Sequence, residues 1–272
     1  MAQSDGAAPE AASDESLANE GAGDPNFMTS LARGLQVLRA FSEFRRQLTI
    51  AQVSQATGMS RAAARRCLYT LQKLGYVAED DRRFSLRPQV LALGHGYLSS
   101  TPLAVVAQPY LDSVSRTLRE SCSIAILDGE DIVYICRSAE TRIMSISLIV
   151  GTRLPAYCTS MGRVLLAQLP PPALEQYLST AQLVARTGQT STSPARLRKI
   201  LAETRAQGYA MIDQELEVGL RSIAVPIRDL RGQVIASINV GAHAARVSLE
   251  EMQTRFLPAL QGCAAELGQL LV

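Results

Sequence analysis

The sequence predicts an α+β protein in two folded parts, and three observations carry that reading. Between residues 48 and 86, two short helical patterns separated by a glycine break are followed by a strand–turn–strand pattern. Beyond Ser99-Ser100-Thr101-Pro102, short apolar strands flanking turn sequences alternate with helices, without the strand–helix–strand rhythm of a parallel sheet. Charge is also partitioned: residues 28–100 hold 11 Arg and Lys against 4 Asp and Glu, whereas residues 101–272 hold 16 against 15. The expected organisation is a disordered acidic tail (1–27), a winged helix-turn-helix (28–87), a linker helix (88–102) and a larger domain (103–272) with a mainly antiparallel sheet.

Residues 1–27 contain six carboxylates, no Lys or Arg, and mostly Ala, Gly and Ser, too little apolar surface to offset the entropy of folding. They lack the basic start and apolar core of a secretory signal. No later window is apolar for long enough to span a membrane, so a cytoplasmic location without membrane contact is expected.

From Thr29 to Phe41, Leu31, Leu35, Leu38 and Phe41 recur at helical spacing and predict a first helix packed behind the two that follow. Thr49 is placed to cap a helix over residues 50–57, with Ile50, Val53 and Ala56 on one side. Gly58 breaks it, Ser60 caps a second helix and Gly75 ends that one. On the second helix Ala64, Cys67, Leu68, Leu71 and Leu74 share one face; Arg61, Ala62, Arg65, Arg66, Tyr69, Gln72 and Lys73 share the other. A solvated surface helix carries the same stripe, but the adjoining hairpin and the local excess of basic charge favour recognition of double-stranded DNA. Tyr76–Ala78 and Phe84–Leu86 are the expected strands of that hairpin. Glu79-Asp80-Asp81-Arg82-Arg83 is its polar turn, with Arg82 and Arg83 near the tip of a wing. The residues expected at DNA are Thr49, Ser60, Arg61, Ala62, Arg65, Arg66, Tyr69, Arg82 and Arg83.

In the second part, Val90–Leu98 reads as the linker helix, with Gly94 and Gly96 inside it, and Leu103–Leu118 as a helix that tolerates Pro109 early on. Ser123–Leu127 and Ile132–Cys136 flank the turn sequence Asp128-Gly129-Glu130, and Ile143–Val150 is a third expected strand. Helices follow at Met161–Gln168, after Pro170-Pro171-Pro172 as a short one ending at Tyr177-Leu178, and from Pro194 to about Gln207, where Gly208 closes the last. Ser222–Ile227 and Val234–Val240 are further strands. Ser248 and Glu251 have the spacing of a capping box, with Val247 and Met252 as its staple, opening a C-terminal helix.

Chemistry-bearing residues are sparse. The cysteines at 67, 122, 136, 158 and 263 form no Cys-x-x-Cys pair, and the only histidines are His95 and His243. A disulfide framework, a metal site and a Cys–His catalytic pair are therefore not expected, and Cys158 is read as a small core residue. No cofactor is expected.

Several segments together carry a resemblance. They are Ser30-Leu-Ala-Arg-Gly-Leu-Gln-Val-Leu, Leu-Gly-Tyr-Val before the hairpin, Leu86-Arg-Pro after it, Pro155-Ala-Tyr-Cys-Thr-Ser-Met-Gly-Arg-Val-Leu-Leu-Ala and Gly219-Leu-Arg-Ser-Ile-Ala-Val-Pro-Ile. With these the chain, from Met28 to Val272, resembles the IclR family of bacterial transcription regulators. Arg142-Ile-Met-Ser followed by Val150-Gly-Thr-Arg-Leu-Pro-Ala-Tyr is similar to the subgroup that controls aromatic acid catabolism through the β-ketoadipate pathway. The resemblance implies a homodimer, often a dimer of dimers, whose second part is a GAF-like domain binding a small organic acid, here an aromatic acid of the protocatechuate or 4-hydroxybenzoate branch. It also implies a pocket between the sheet and the helix start after the third strand. Ile143, Ile146 and Leu154 would be apolar walls, Ser160 and Met161 would stand at the helix start, and Asp213, Leu220, Ser222, Asn239 and Gly241 would come from the far strands.

Physical chemistry agrees in part. A helix opening at Thr159-Ser160-Met161-Gly162 offers backbone N–H groups to a carboxylate, and Ser222 and Asn239 can hydrogen-bond a ring hydroxyl. Asp213, as an anion, belongs at the hydroxyl end or outside the pocket. Each has a plainer role open to it: Thr159 or Ser160 as a cap, Asn239 as a partner of sheet backbone, Asp213 as a surface group. Arg137, Arg142 and Arg153 are further candidates to pair with a carboxylate, with surface or subunit-interface salt bridges as the simpler role for each. Two other classes of function remain: an enzyme built on the second part, and a winged helix used for protein contact. No nucleophile–base pair, metal set or phosphate loop supports the first, and the charge partition argues against the second. A regulator answering to a non-aromatic acid is the nearest alternative.

Overall fold

The computed structural model describes residues 24–42, 45–140 and 148–271, which leaves the tail up to residue 23 and the expected strand and wall positions from 143 to 147 outside the described residues. The chain divides into two units between Tyr97 and Leu98.

The first unit holds α1 (Thr29–Arg39), α2 (Ile50–Thr57), α3 (Arg61–Lys73) and a hairpin of β1 (Val77–Asp80) and β2 (Arg83–Leu86). Thr49 and Gln52 cap α2 reciprocally: the Gln52 N–H donates to Thr49 Oγ1 at 3.3 Å and the Thr49 N–H donates to Gln52 Oε1 at 2.9 Å. Gly58 follows in the left-handed conformation at φ 68°, and Ser60 caps α3 through the Ala63 N–H. The core is Val37, Phe41, Leu48, Val53, Ala64, Leu68, Leu71, Val77 and Phe84.

Three expectations need correction here. Leu31 and Leu35 are 58% and 50% exposed, because α1 buries only its C-terminal part, through Val37. Ala56 and Leu74 are also exposed; Leu74 lies past the last α3 turn that reaches the core, where Gly75 at φ 83° reverses the chain. The wing strands run further than the sequence suggests, so the turn is only Asp81-Arg82, with φ of 42° and 62°. Positive φ at both central residues matches the twist of a two-residue hairpin. Arg83 thereby belongs to β2 and Arg82 alone to the tip. Leu48 adds a bridge to this sheet through reciprocal hydrogen bonds with Phe84, of 2.9 and 2.8 Å.

A 3-10 turn at Pro88–Val90 leads into α4 (Leu91–Ser100). The single helix expected over residues 103–118 is two, α5 (Pro102–Val106) and α6 (Gln108–Leu118), since Pro109 has no N–H with which to continue the helical ladder. The second unit is built on one antiparallel sheet in the order β5-β4-β3-β8-β7-β6. Its strands are β3 (Ser121–Asp128), β4 (Asp131–Ser138), β5 (Arg153–Pro155), β6 (Ala210–Asp213), β7 (Leu220–Arg228) and β8 (Val234–His243). Neither β5 nor β6 is anticipated by the sequence. Leu148–Val150 are not in a strand, and the edge beside β4 is taken by Arg153–Pro155 instead.

Helices cover both sheet faces. On one, α6 and the C-terminal helix bury Leu111, Val114, Phe256 and Leu260 against Ile124, Ile223 and Ile238. That helix comprises α10 (Leu249–Glu251), a π-helical segment Met252–Phe256 and α11 (Leu257–Gln269). Its cap is half a box: Ser248 Oγ accepts from the Glu251 N–H at 3.0 Å, but the Glu251 carboxylate turns forward to Arg255, at 2.7 Å. On the other face α7 (Ser160–Leu166), α8 (Pro171–Thr180) and α9 (Pro194–Gln207) bury Met161, Leu166, Leu197 and Leu201 against Ala125, Tyr134 and Ala224. Gly162 lets α7 lie directly on the Ala156 backbone, which occupies the space a Cβ would need.

Candidate functional site

The first candidate surface is the outer side of α3. Ala64, Leu68 and Leu71 anchor the helix, which turns Arg61, Ala62, Arg65, Arg66, Tyr69 and Lys73 to solvent. The Lys73 ammonium lies 5.4 Å from the centre of the Tyr69 ring, an arrangement that extends both side chains along the helix. Arg82 and Arg83 are exposed on the hairpin. Thr49 and Ser60 serve as helix caps, so their hydroxyls are already engaged by backbone. The result is a basic helix face beside a basic wing, with three arginines available to phosphate oxygens or base edges.

The second is the sheet face beneath α7. Residues directly opposite on antiparallel strands share a face. Ser123 on β3 stands opposite Arg137 on β4 and Asn239 on β8, and Asn239 stands opposite Ala224 on β7. The neighbouring row is Ser121, Gly241 and Ser222. Above it, Ser222 Oγ donates to Ser160 Oγ at 2.9 Å, so two positions distant in sequence meet in a buried contact at the start of α7. Leu220 lies over Gly241, its Cδ1 3.8 Å from where a Cβ would stand. Ser123, Ser160, Ser222 and Asn239 are all buried, an unusual density of polar groups for the inside of a sheet.

One buried polar atom on this face is left unpaired. Arg137 Nη1 donates to Ser123 Oγ at 2.9 Å, but its buried Nε has no partner. Burial holds the Arg137 guanidinium below the usual arginine pKa. Tyr134 lies on the same face, and burial pushes its phenol up to about 12. Buried polar groups are ordinarily satisfied, and the unpartnered Arg137 Nε on a face that also carries Ser123, Ser222 and Asn239 marks a place for a polar ligand.

Family models match both units: the IclR helix-turn-helix domain over residues 30–81, and the bacterial transcriptional regulator IclR C-terminal domain over residues 95–269. The chain belongs to the IclR family. It is thus a transcription regulator and not an enzyme. It is 56% identical to the Pca regulon regulatory protein of Pseudomonas putida, over 90% of this chain and 84% of that protein. It is 35% identical to the p-hydroxybenzoate hydroxylase transcriptional activator of Acinetobacter baylyi, over 90% and 93%. The structure of an IclR homologue from Microbacterium hydrocarbonoxydans complexed with 4-hydroxybenzoate matches with a TM-score of 0.78 at 26% identity, covering 89% of this chain and 98% of that one.

Of the positions the IclR resemblance implicates, Ser160, Leu220, Ser222, Asn239 and Gly241 come together on this face, and Met161 packs immediately above it in α7. Leu154 does not join them: it pairs with Ile132, at the opposite end of β4 from Arg137. Ile143 and Ile146, like Arg142, lie outside the described residues. Asp213 is corrected. It stands opposite Arg221, one residue out of phase with Ser222, and its carboxylate accepts from Arg221 Nε at 2.9 Å on the far face. Thr159 is the cap of α7, its hydroxyl accepting from the Gly162 N–H at 3.2 Å and donating to the Pro155 carbonyl at 3.1 Å. Arg153 is a surface group bound to the Asp131 carboxylate and the Asp128 carbonyl. Cys158 is fully buried, which pushes its thiol up to about 11. Among the described residues no group of His, Cys, Asp and Glu could hold a metal ion, and no helix is long and apolar enough to cross a membrane.

Proposed function

We propose that the protein binds operator DNA through α3 and the β1–β2 wing, and that a small aromatic acid held between the sheet and α7 controls that binding. The acid would govern aromatic compound catabolism, such as the protocatechuate/4-hydroxybenzoate branch of the β-ketoadipate pathway, in the cytoplasm. The observation that carries this reading is the buried polar face with the unpartnered Arg137 Nε at its edge, in a chain more than half identical to a Pca regulon regulator. Ser160, Met161, Leu220, Ser222, Asn239 and Gly241 would line the ligand. The ligand can act only through a difference in affinity between DNA-competent and DNA-incompetent states.

A homo-oligomer, dimer or dimer of dimers, belongs to this reading. Leu31 and Leu35 on α1 and Leu91 and Leu93 on α4 are exposed in the single chain, 50% or more in every case, and a second copy would cover such residues. Two copies would set two α3 helices on successive turns of a partly palindromic site.

Fluorescence anisotropy on the DNA upstream of the protein's own gene tests the proposal, across salt concentrations and with protocatechuate, 4-hydroxybenzoate or β-ketoadipate added. Specific, salt-steep binding altered by an aromatic acid is the expected result. A response to β-ketoadipate alone would replace the aromatic effector with an aliphatic one, and failure to bind any DNA would overturn the reading.

A further inference from the structure

We propose that Arg137 is the anchor for the effector's carboxylate, and that it fixes which way round the acid lies on the sheet. This rests on the acid-responsive reading above. Arg137 sits near the C-terminal end of β4 and reaches back across the sheet to Ser123 on β3. Among the described residues no carboxylate pairs with it; the ionisable groups that bear on it are Tyr134 and Cys122, both neutral near pH 7. Arg137 is half-buried, with its Nε shut away from solvent and no counter-charge beside it, and such a cation is well placed where a ligand supplies the missing anion.

The geometry of the guanidinium supports this. Ser123 takes a hydrogen from Nη1, which leaves the Nε–Nη2 edge. That edge presents two parallel N–H groups, the fork that receives both oxygens of a carboxylate, and its Nε is the buried atom without a partner. The start of α7 is a poorer carboxylate site: Thr159 already occupies the Gly162 N–H, and the Arg163 N–H is bonded to the Thr159 carbonyl.

Orientation follows from the strand order. Arg137 and Ser123 lie towards β4, whereas Ser222 and Ser160 lie over β7, two strands beyond β3. Two strand spacings are about 10 Å. That separation suits one aromatic ring with its carboxylate on Arg137, its ring hydroxyl at the Ser222–Ser160 pair and Asn239 between. The absence of a side chain at Gly241 and the small one at Ala224 leave room for the ring.

The test uses the full chain and three variants, Arg137→Met, Arg137→Lys and Asn239→Ala, with calorimetric titration and thermal melting. The probes are 4-hydroxybenzoate, protocatechuate, β-ketoadipate and the uncharged 4-hydroxybenzamide. Arg137→Met should lower acid affinity by about tenfold or more, the scale of losing a charge-assisted bidentate pair, with amide affinity changed far less. Without ligand its melting temperature should stay close to wild type, because the half-buried guanidinium makes a single side-chain hydrogen bond, to Ser123, and no ion pair. Arg137→Lys should also weaken the acids selectively, having the charge without the fork. Asn239→Ala should weaken acid and amide alike.

Acid affinity within about threefold of wild type in Arg137→Met, well under the charge-assisted loss, would overturn the anchor while leaving an acid-responsive regulator intact. An equal loss of acid and amide, with a lowered melting temperature, would make Arg137 a structural residue. If Arg137→Met does not fold, Arg137→Lys decides by the same comparison of acid with amide. A wild-type protein that binds none of the three acids would overturn both the anchor and the reading beneath it.

Discussion

Arg163 on α7 grips Glu215 with both ends of its guanidinium, Nη1 to Oε1 at 2.7 Å and Nη2 to Oε2 at 2.6 Å. Its Nε donates to the Tyr157 carbonyl, and Glu215 also accepts from the Ser191 N–H at 3.0 Å. Both side chains are largely buried. The pair ties the helix that covers the polar sheet face to the segment between β6 and β7, so it sets the height of that cover over Ser222. Glu215→Ala should destabilise the second unit by about 3–5 kcal/mol, because it strands a buried guanidinium. Urea midpoints for Glu215→Ala beside a paired apolar replacement, Arg163→Met with Glu215→Leu, check this: the double variant should recover most of the loss.

Gly162→Ala should be destabilising by about 1–3 kcal/mol, since a methyl group there meets the Ala156 backbone and not a movable side chain. Thermal melting measures the loss. A variant as stable as wild type would mean that α7 shifts freely on the sheet, contrary to the close packing seen.

The Ser222–Ser160 hydrogen bond predicts a selective effect on ligand choice. Ser222→Ala should cost about 1 kcal/mol in binding 4-hydroxybenzoate and little in binding benzoate, which has no ring hydroxyl to lose. Titration of both acids into wild type and variant gives the difference directly.

At the wing, stability and DNA affinity should move in opposite directions. Arg82 is held at φ 62°, which glycine adopts freely, so Arg82→Gly should stabilise the hairpin by about 1 kcal/mol. The same change removes a cation from the wing tip and should weaken DNA binding. Loss of stability together with affinity would show instead that the side chain supports the fold.

On α3, Arg65→Ala should weaken operator binding and distinguish two kinds of contact. A phosphate contact would lower affinity evenly across sequences and make the salt dependence shallower by about 1 in log–log slope. A guanine contact would relax preference at one base pair by roughly 1–3 kcal/mol.

The local signals in the sequence were strong where one short stretch decides the outcome. Thr49, Gly58 and Ser60 bracket α2 and α3, Ser193, Pro194 and Gly208 bracket α9, and the caps they form depend on neighbours a few residues away. The apolar face of α3 and the basic face opposite were equally plain, since helical periodicity alone assigns them. The short strands were not: β5 has three residues and β6 four, and each exists through pairing with a longer neighbour.

For the candidate site, residue types were legible and their placement was not. Ser160, Ser222 and Asn239 could be named, but Asp213 fell on the wrong face, because a single step along a strand reverses the direction of a side chain. Arg137, Arg142 and Arg153 were equivalent on paper. Only tertiary structure separated Arg153, paired with Asp131 on the surface, from Arg137, half-buried beside Ser123 with its Nε–H unmatched.

By itself, then, the sequence determined the class of the fold, the helix limits of the DNA-binding unit and the partition of charge, all of which follow from contacts within a few residues or from composition. Tertiary structure alone decided the sheet order, the face on which each polar side chain lies, the pairing of Arg163 with Glu215 and the isolation of Arg137. Those depend on strand register and on partners far apart in the chain, and burial, which sets the cost of an unpaired charge, comes into being only when the layers close.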